Sequence, residues 1–276
     1  LPRGRSAEIV PGLLAAGARA VIDLGGDFRL AAEDYPPWYG FEHPAPGLLA
    51  EAVYGLPEIF GSLIPGARLV ANPGCFPTAA LLGLVPLLHA GVLSDEHPIH
   101  VDGKTGTSGA GREAGETGSL ATSQDSIRPY RVDAHQHTPE IERGLALATG
   151  RQVRVTFVPH LVPAVRGVMT TSYGRLAAPS PTEATSEVLT EILVEAYRDR
   201  PFVRVLPSHV PIDTKRTRAA NVIELQVVAH PRSATAVVLA GIDNLVKGAA
   251  GQAIQNANLL FGLPETTGLP TTGVWP

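Results

Sequence analysis

Val70-Ala-Asn-Pro-Gly-Cys75-Phe-Pro-Thr-Ala-Ala-Leu-Leu-Gly-Leu-Val-Pro86 is the stretch that decides how this chain folds. Arg68 to Ala71 read as the end of a buried strand, and Asn72-Pro73-Gly74 as a turn. Pro77 suits the first turn of a helix, where a missing N–H costs nothing. Ala79 to Leu88 is almost continuously apolar, so that helix is expected to be buried on all sides. Cys75, the only cysteine, then stands where free N–H groups and the positive end of a helix dipole favour a thiolate. A lone cysteine is usually a small core residue. Its place on this turn argues instead for a nucleophile, with a pKa below the ~8.5 of a free cysteine.

Upstream, Ala7 to Ala16 has helical composition and Arg19 to Leu24 reads as a buried strand, with Gly25 to Leu30 as the loop at its end. Helix followed by apolar strand is α/β grammar, and open parallel sheets bind ligands at the C-terminal ends of their strands. Asp27 and Arg29 are thus placed either for ligand contact or for a surface salt bridge. Residues 31–66, with Tyr35, Pro36, Pro37, Trp38, Tyr39 and Phe41, read as an irregular excursion with a short strand at Ala52 to Tyr54. Such segments cover a site or simply pack.

Downstream, Ile99 to Lys104 is a strand candidate running into Thr105-Gly-Thr-Ser-Gly-Ala-Gly-Arg112, a loop able to present N–H groups to an anion. His135 and His137 fall two apart in what reads as an extended stretch, which would put both rings on one side. Thr138-Pro139 then opens a helix with Glu140 in its first turn. His-x-His with a carboxylate admits zinc, but imidazoles serve acid–base chemistry as readily, and no metal is assigned. Gln152 to Val158 reads as a strand ending before Pro159, with His160 as a site residue or a buried structural one. Pro181 to Arg198 reads as a helix, Asn221 to His230 and Ser233 to Gly241 as an antiparallel hairpin, and Asp243 to Phe261 as a final helix.

Composition narrows the function. The 276 residues are 44% hydrophobic and 17% charged, which is globular. A formal charge of −4 leaves no footprint for nucleic acid, so an anionic substrate needs local arginines. One cysteine excludes an intrachain disulfide and fits a reducing, cytoplasmic setting. No run of about 18 apolar residues offers a membrane span.

Three stretches carry a resemblance. Ala71-Asn-Pro-Gly-Cys-Phe-Pro-Thr-Ala with Gly83 and Pro86, His135-Gln-His-Thr-Pro-Glu140, and Pro159-His-Leu-Val-Pro163 ending in Arg166-Gly167 resemble the N-acetyl-gamma-glutamyl-phosphate reductases. These belong to the wider aspartate-semialdehyde and glyceraldehyde-phosphate dehydrogenase group. The resemblance implies an α/β plus α+β fold in three parts. Residues 1–73 would form the C-terminal part of a Rossmann-type domain, and 74–242 a catalytic and dimerisation domain of mixed, largely antiparallel sheet. Residues 243–276 would be a helix returning to the cofactor domain.

The same resemblance implies NADPH-dependent reduction of an acyl phosphate through a thioester, in arginine biosynthesis, by a homodimer or homotetramer. Cys75 would be the nucleophile, His137 or His135 the acid–base partner, and Glu140 a group that orients or accepts a proton. Arg29, Arg112 and His160 would contact substrate, and Ser108, Gly109, Gly111, Gln252 and Asn256 the cofactor. The competing readings are an aminoadipyl-phosphate reductase acting on a carrier protein, or a thiol acyltransferase or hydrolase without nicotinamide. The resemblance departs at the front. The glycine-rich phosphate loop is not found, Arg3 stands where relatives often have histidine, and a fragment binding NADPH poorly is the expectation.

Overall fold

A computed structural model of the protein describes residues 1–110, 120–177 and 184–274. Arg112 and Gly111, expected at the site, lie outside the described residues, as does the expected helix start at Pro181. Among the described residues ten strands fall into two sheets. β1 (Val21–Asp23), β2 (Val53–Tyr54) and β3 (Leu69–Ala71) form a small parallel sheet in the order β1-β3-β2. Val70 is its centre, paired with Ile22 on one side and Val53 on the other.

The second sheet contains β4 (Ile99–Thr105), β5 (Arg128–Pro129), β6 (Val155–Leu161), β7 (Val168–Arg175), β8 (Val203–Val205), β9 (Ile223–His230) and β10 (Thr235–Ile242). Its order is β5-β6-β4-β7-β10-β9-β8, with β4–β6 and β8–β9 parallel and the other pairings antiparallel. The mixed, largely antiparallel sheet that the resemblance implies is therefore present.

The longer helices among the described residues are α1 (Arg5–Ala15), α2 (Cys75–His89), α3 (His137–Thr149), α4 (Ser186–Ala196) and α5 (Gly251–Leu260). α2 is the axis of the larger core. Every residue from Phe76 to Leu88 is buried, and at ~1.5–3 kcal/mol for each large apolar side chain this helix dominates the packing energy. Pro86 within it cannot donate to the Leu82 carbonyl one turn back. The Tyr197 hydroxyl takes that carbonyl instead, at 2.6 Å, so the buried acceptor is satisfied.

The aromatic excursion packs rather than covers. Tyr35, Tyr39 and Phe28 join α1 and β3 in a second apolar cluster. Asp27, read as a ligand contact, is instead a cap for the α1 end. Its carboxylate accepts from the Gly4 and Ala7 N–H groups and from the Ser6 hydroxyl, satisfying donors that have no partner within the helix.

Two boundaries differ from the sequence reading. β6 continues through Pro159 to Leu161. Within a strand the N and O of one residue point to the same side, and the Pro159 carbonyl accepts from Tyr130 N beside the two-residue edge strand β5. The missing N–H of Pro159 therefore faces the sheet edge, where a proline is tolerated. The final helix is also not uniform: a π-helical turn over Val246–Ala250 precedes α5, capped by Asp243, which accepts from Leu245 and Val246 N–H.

Candidate active site

Cys75 is the first residue of α2 and is half-buried. It lies on a cleft of about 750 Å³, within the range of small-molecule sites. Two glycines fit the backbone around it. A Cβ on Gly74 would stand 2.4 Å from His137 Nε2 and 3.0 Å from Arg29 Nη1, and one on Gly248 would stand 2.6 Å from Cys75 Cβ. Only glycine permits these approaches. The π-helical turn is what carries Gly248 up to the cysteine, and such insertions recur at functional sites.

Glu140, wholly buried in the first turn of α3, frames the site. Its Oε1 accepts from Gly74 N–H at 2.8 Å and from the Tyr54 hydroxyl at 2.9 Å. Its Oε2 accepts from Arg29 Nη1 at 3.2 Å and lies 3.8 Å from His137 Nε2. A carboxylate engaged on all sides orients its neighbours. Of the two roles expected for Glu140, orientation is the one this geometry supports. Arg29 also donates to the Leu24 carbonyl at 2.9 Å. Burial works against the charge of Arg29, but the Glu140 carboxylate, together with Tyr39, Tyr54 and Asp23, more than offsets it, so its pKa ends above the ordinary value.

The two histidines meet, though not by strand alternation. A turn at residues 132–134 leads into α3, and the ring centroids lie 4.7 Å apart. His135 Nδ1 accepts from the His137 N–H at 3.2 Å, which puts the neutral ring's own proton on Nε2. Burial, followed by the neighbouring His137, pushes His135 down to about 2. Burial and then Arg29 hold His137 well below the usual imidazole value. Both rings therefore rest neutral.

This has a measurable consequence. A depressed pKa gives stability that is present above the unfolded value of ~6.5 and lost as the pH falls towards the folded value. The melting temperature should start to fall near pH 6.5, before most carboxylates titrate, by up to about 1.4 kcal/mol of stability per pH unit for each histidine. Acid melts of His135→Gln should show a flatter slope. An identical slope would assign the acid sensitivity elsewhere.

Cys75 departs from expectation. Burial pushes its thiol up to about 11, against the Phe76 N–H and Arg29, which both pull it down. The helix-end donors are present, but desolvation outweighs them. Alkylation of the ligand-free chain should therefore show a midpoint near 11 instead of below 8.5. A plateau reached by pH 8 would restore the thiolate reading.

Other expected contacts are placed differently. His160 sits on β6 with Nδ1 3.1 Å from Asp102 Oδ1. Strand alternation turns it to the sheet face opposite Phe157, which packs on Phe76, and Leu161, which lines the cleft. Gln252 and Asn256 are fully buried and hold α5 in place: Gln252 donates to Thr78 Oγ1, and Asn256 to the Gly55 carbonyl and Asn72 Oδ1. Neither is among the residues that line the cleft.

Ser108 and Gly109 do line the cleft. Their N–H groups, with that of Thr107, already donate to Val165, Gly106 and Ala164 carbonyls, so no anion cradle forms among the described residues of this loop. Asn244 and Leu245 join them on the wall, Asn244 donating to Ser108 Oγ at 3.0 Å. Of the cleft arginines only Arg29 was legible as a site residue; Arg3, Arg128 and Arg131, like Asn244 and the Tyr54 hydroxyl, were not, because contacts remote in sequence bring them there. Among the described residues the cleft carries Arg3, Arg29, Arg128 and Arg131 and no carboxylate on its lining. No group of three or more metal-ligating side chains occurs among them, and no helix there is long and apolar enough to cross a membrane.

Comparison with known proteins agrees with this construction. The profile of the semialdehyde dehydrogenase dimerisation domain matches residues 75–244. The N-acetyl-gamma-glutamyl-phosphate reductase of Symbiobacterium thermophilum is 48% identical over 279 residues, and that of Desulforudis audaxviator 47% over 278. Each alignment covers 100% of this chain and 78% of the relative. Aspartate semialdehyde dehydrogenase II from Vibrio cholerae superposes with a TM-score of 0.70 at 18% identity, over 94% of this chain and 77% of that one, and shows the shared fold. The chain belongs to the N-acetyl-gamma-glutamyl-phosphate reductase family.

Proposed function

We propose that this chain carries the catalytic cysteine and substrate face of an enzyme reducing N-acetyl-gamma-glutamyl phosphate to N-acetylglutamate semialdehyde, with NADPH as reductant. The observation that carries the reading is a cysteine at a helix start, beside two neutral imidazoles, in a cleft whose described lining holds arginines and no carboxylate.

Cys75 Sγ attacks the acyl carbon as His137, whose Nδ1 has no hydrogen-bond partner, takes the thiol proton. The C–O bond to phosphate breaks and a thioester remains. A neutral thiol beside a neutral base makes proton transfer accompany attack rather than precede it. The residual N–H groups at the α2 start face the carbonyl oxygen as it gains charge. Glu140 fixes the Gly74 backbone and Arg29 throughout. Ser108, Gly109, Asn244, Leu245 and Gly248 make an uncharged wall beside Cys75, with an amide, a hydroxyl and apolar surface that suit a carboxamide-bearing nicotinamide ring. When bound there, that group supplies the hydride that reduces the thioester. The proton on His137 returns to sulfur as the aldehyde is released. We read residues 1–73 as part of the cofactor domain, 74–242 as the catalytic and dimerisation domain, and 243–276 as the helix returning between them, in a homo-oligomer.

The test uses the first half-reaction, which needs no cofactor. Incubation with the acyl phosphate should release one phosphate per chain and leave one acyl adduct on Cys75 by intact mass, discharged to aldehyde when NADPH is supplied. Continuous phosphate release without NADPH consumption would make the chain a hydrolase and defeat the reading.

A further inference from the structure

One group of side chains in the cleft takes no part in the steps above. Arg3 Nη2 and Arg131 Nη1 both donate to Oε1 of Gln136, at 3.0 and 3.3 Å. Two guanidinium groups thus converge on a single neutral amide oxygen. Among the described residues no carboxylate pairs with either, whereas Arg29 is already matched by Glu140. Two unpaired like charges this close repel, and partial burial together with Arg131 lowers the pKa of Arg3.

The pair is nonetheless held. The Tyr39 ring lies under the Arg3 guanidinium at 5.6 Å. Arg131 has a backbone φ of 46°, a left-handed conformation uncommon for a residue with a side chain. Strain of this kind persists where surroundings enforce it, often at binding sites. Gln136 lies between His135 and His137 in the chain, so the pair is tied to the segment that carries the imidazoles. All three residues line the cleft that holds Cys75.

We propose that Arg3 and Arg131, bridged by Gln136, form a clamp for the phosphoryl group of the acyl phosphate, poised to hold it as the leaving group. The proposal rests on the acyl-phosphate reading of the site and adds to it the residues that receive the phosphate. A phosphoryl group carries close to two negative charges and several acceptor oxygens, and arginine forks match it by paired hydrogen bonds. Arg29, buried and neutralised by Glu140, brings little net charge to such a group. Arg3 and Arg131 bring two. As the C–O bond to carbon breaks, its electron pair passes to the phosphate oxygen, and preorganised cations beside that oxygen stabilise the charge it gains. The phosphate takes up a proton from water at the cleft mouth and leaves as the hydrogen phosphate dianion.

Isothermal titration of the 276-residue chain with inorganic phosphate, acetyl phosphate and adenosine 2′-phosphate tests the assignment. Arg3→Gln and Arg131→Gln should each weaken inorganic and acetyl phosphate roughly tenfold or more. Gln136→Glu is the decisive variant. It keeps the bridging oxygen but supplies the missing negative charge, so a role confined to holding the loop would survive, with the melting temperature kept or raised. The clamp instead predicts that phosphate binding is lost while the fold is retained. Wild-type phosphate affinity in Gln136→Glu or in Arg131→Gln overturns the proposal. So does selective loss of adenosine 2′-phosphate with acetyl phosphate unaffected, which would make the clamp a cofactor site. Phosphate binding that depends on these residues, in a chain that forms no acyl adduct, would leave an anion site standing and defeat the acyl-phosphate reading alone.

Discussion

Cys75→Ser should form no acyl adduct and should lower aldehyde production by roughly 10⁴-fold or more, the scale seen when a nucleophile that works as a unit with its base is removed. Serine keeps the shape and fits between Gly74 and Gly248. Its hydroxyl is a far weaker nucleophile beside an imidazole held well below the usual pKa. Stability should change little, because the side chain is half-buried and serine is nearly isosteric. Rapid-quench measurement of phosphate release separates the two possibilities. A stoichiometric burst in Cys75→Ser would mean that another group attacks the acyl carbon.

Glu140→Ala should cost about 3–5 kcal/mol of folding stability, the range for breaking a buried ion pair by removing one partner. It strands the buried Arg29 guanidinium and leaves the Gly74 N–H and the Tyr54 hydroxyl without their acceptor. Glu140→Gln keeps an oxygen for those two donors and loses only the charge, so it should fall between wild type and alanine. Urea denaturation of the three proteins gives the ordering directly. A Glu140→Ala protein within 1 kcal/mol of wild type would show that the frame around Cys75 is held by something else.

Local punctuation explains what was legible in the sequence. Asn72-Pro73-Gly74 before an apolar run marks a strand–turn–helix by chemistry contained within the run itself, and β9 and β10 alternate clearly enough to be read as a hairpin. What failed depends on partners remote in sequence. The side to which His160 points is set by the register of β6 against β4, which pairs it with Lys104. Pro159 ends a strand on paper and sits within one here because its missing donor faces an edge. The π-helical turn at Val246–Ala250 has the composition of an ordinary helix, and yet it decides that Gly248, not Gln252, meets the cysteine. The thiol was misjudged for a related reason. The dipole of α2 can be read from the sequence, but the depth of burial that outweighs it cannot.

The cost of holding Cys75 as a neutral thiol has a counterpart in durability. Peroxide and other oxidants attack the thiolate, and the ladder from sulfenic to sulfinic acid begins there. A resting site that keeps its sulfur protonated near neutral pH offers those oxidants almost no target. The same burial that delays attack until an acyl group arrives thus shelters an idle enzyme from oxidative inactivation, with no second cysteine in the chain to form a protective disulfide.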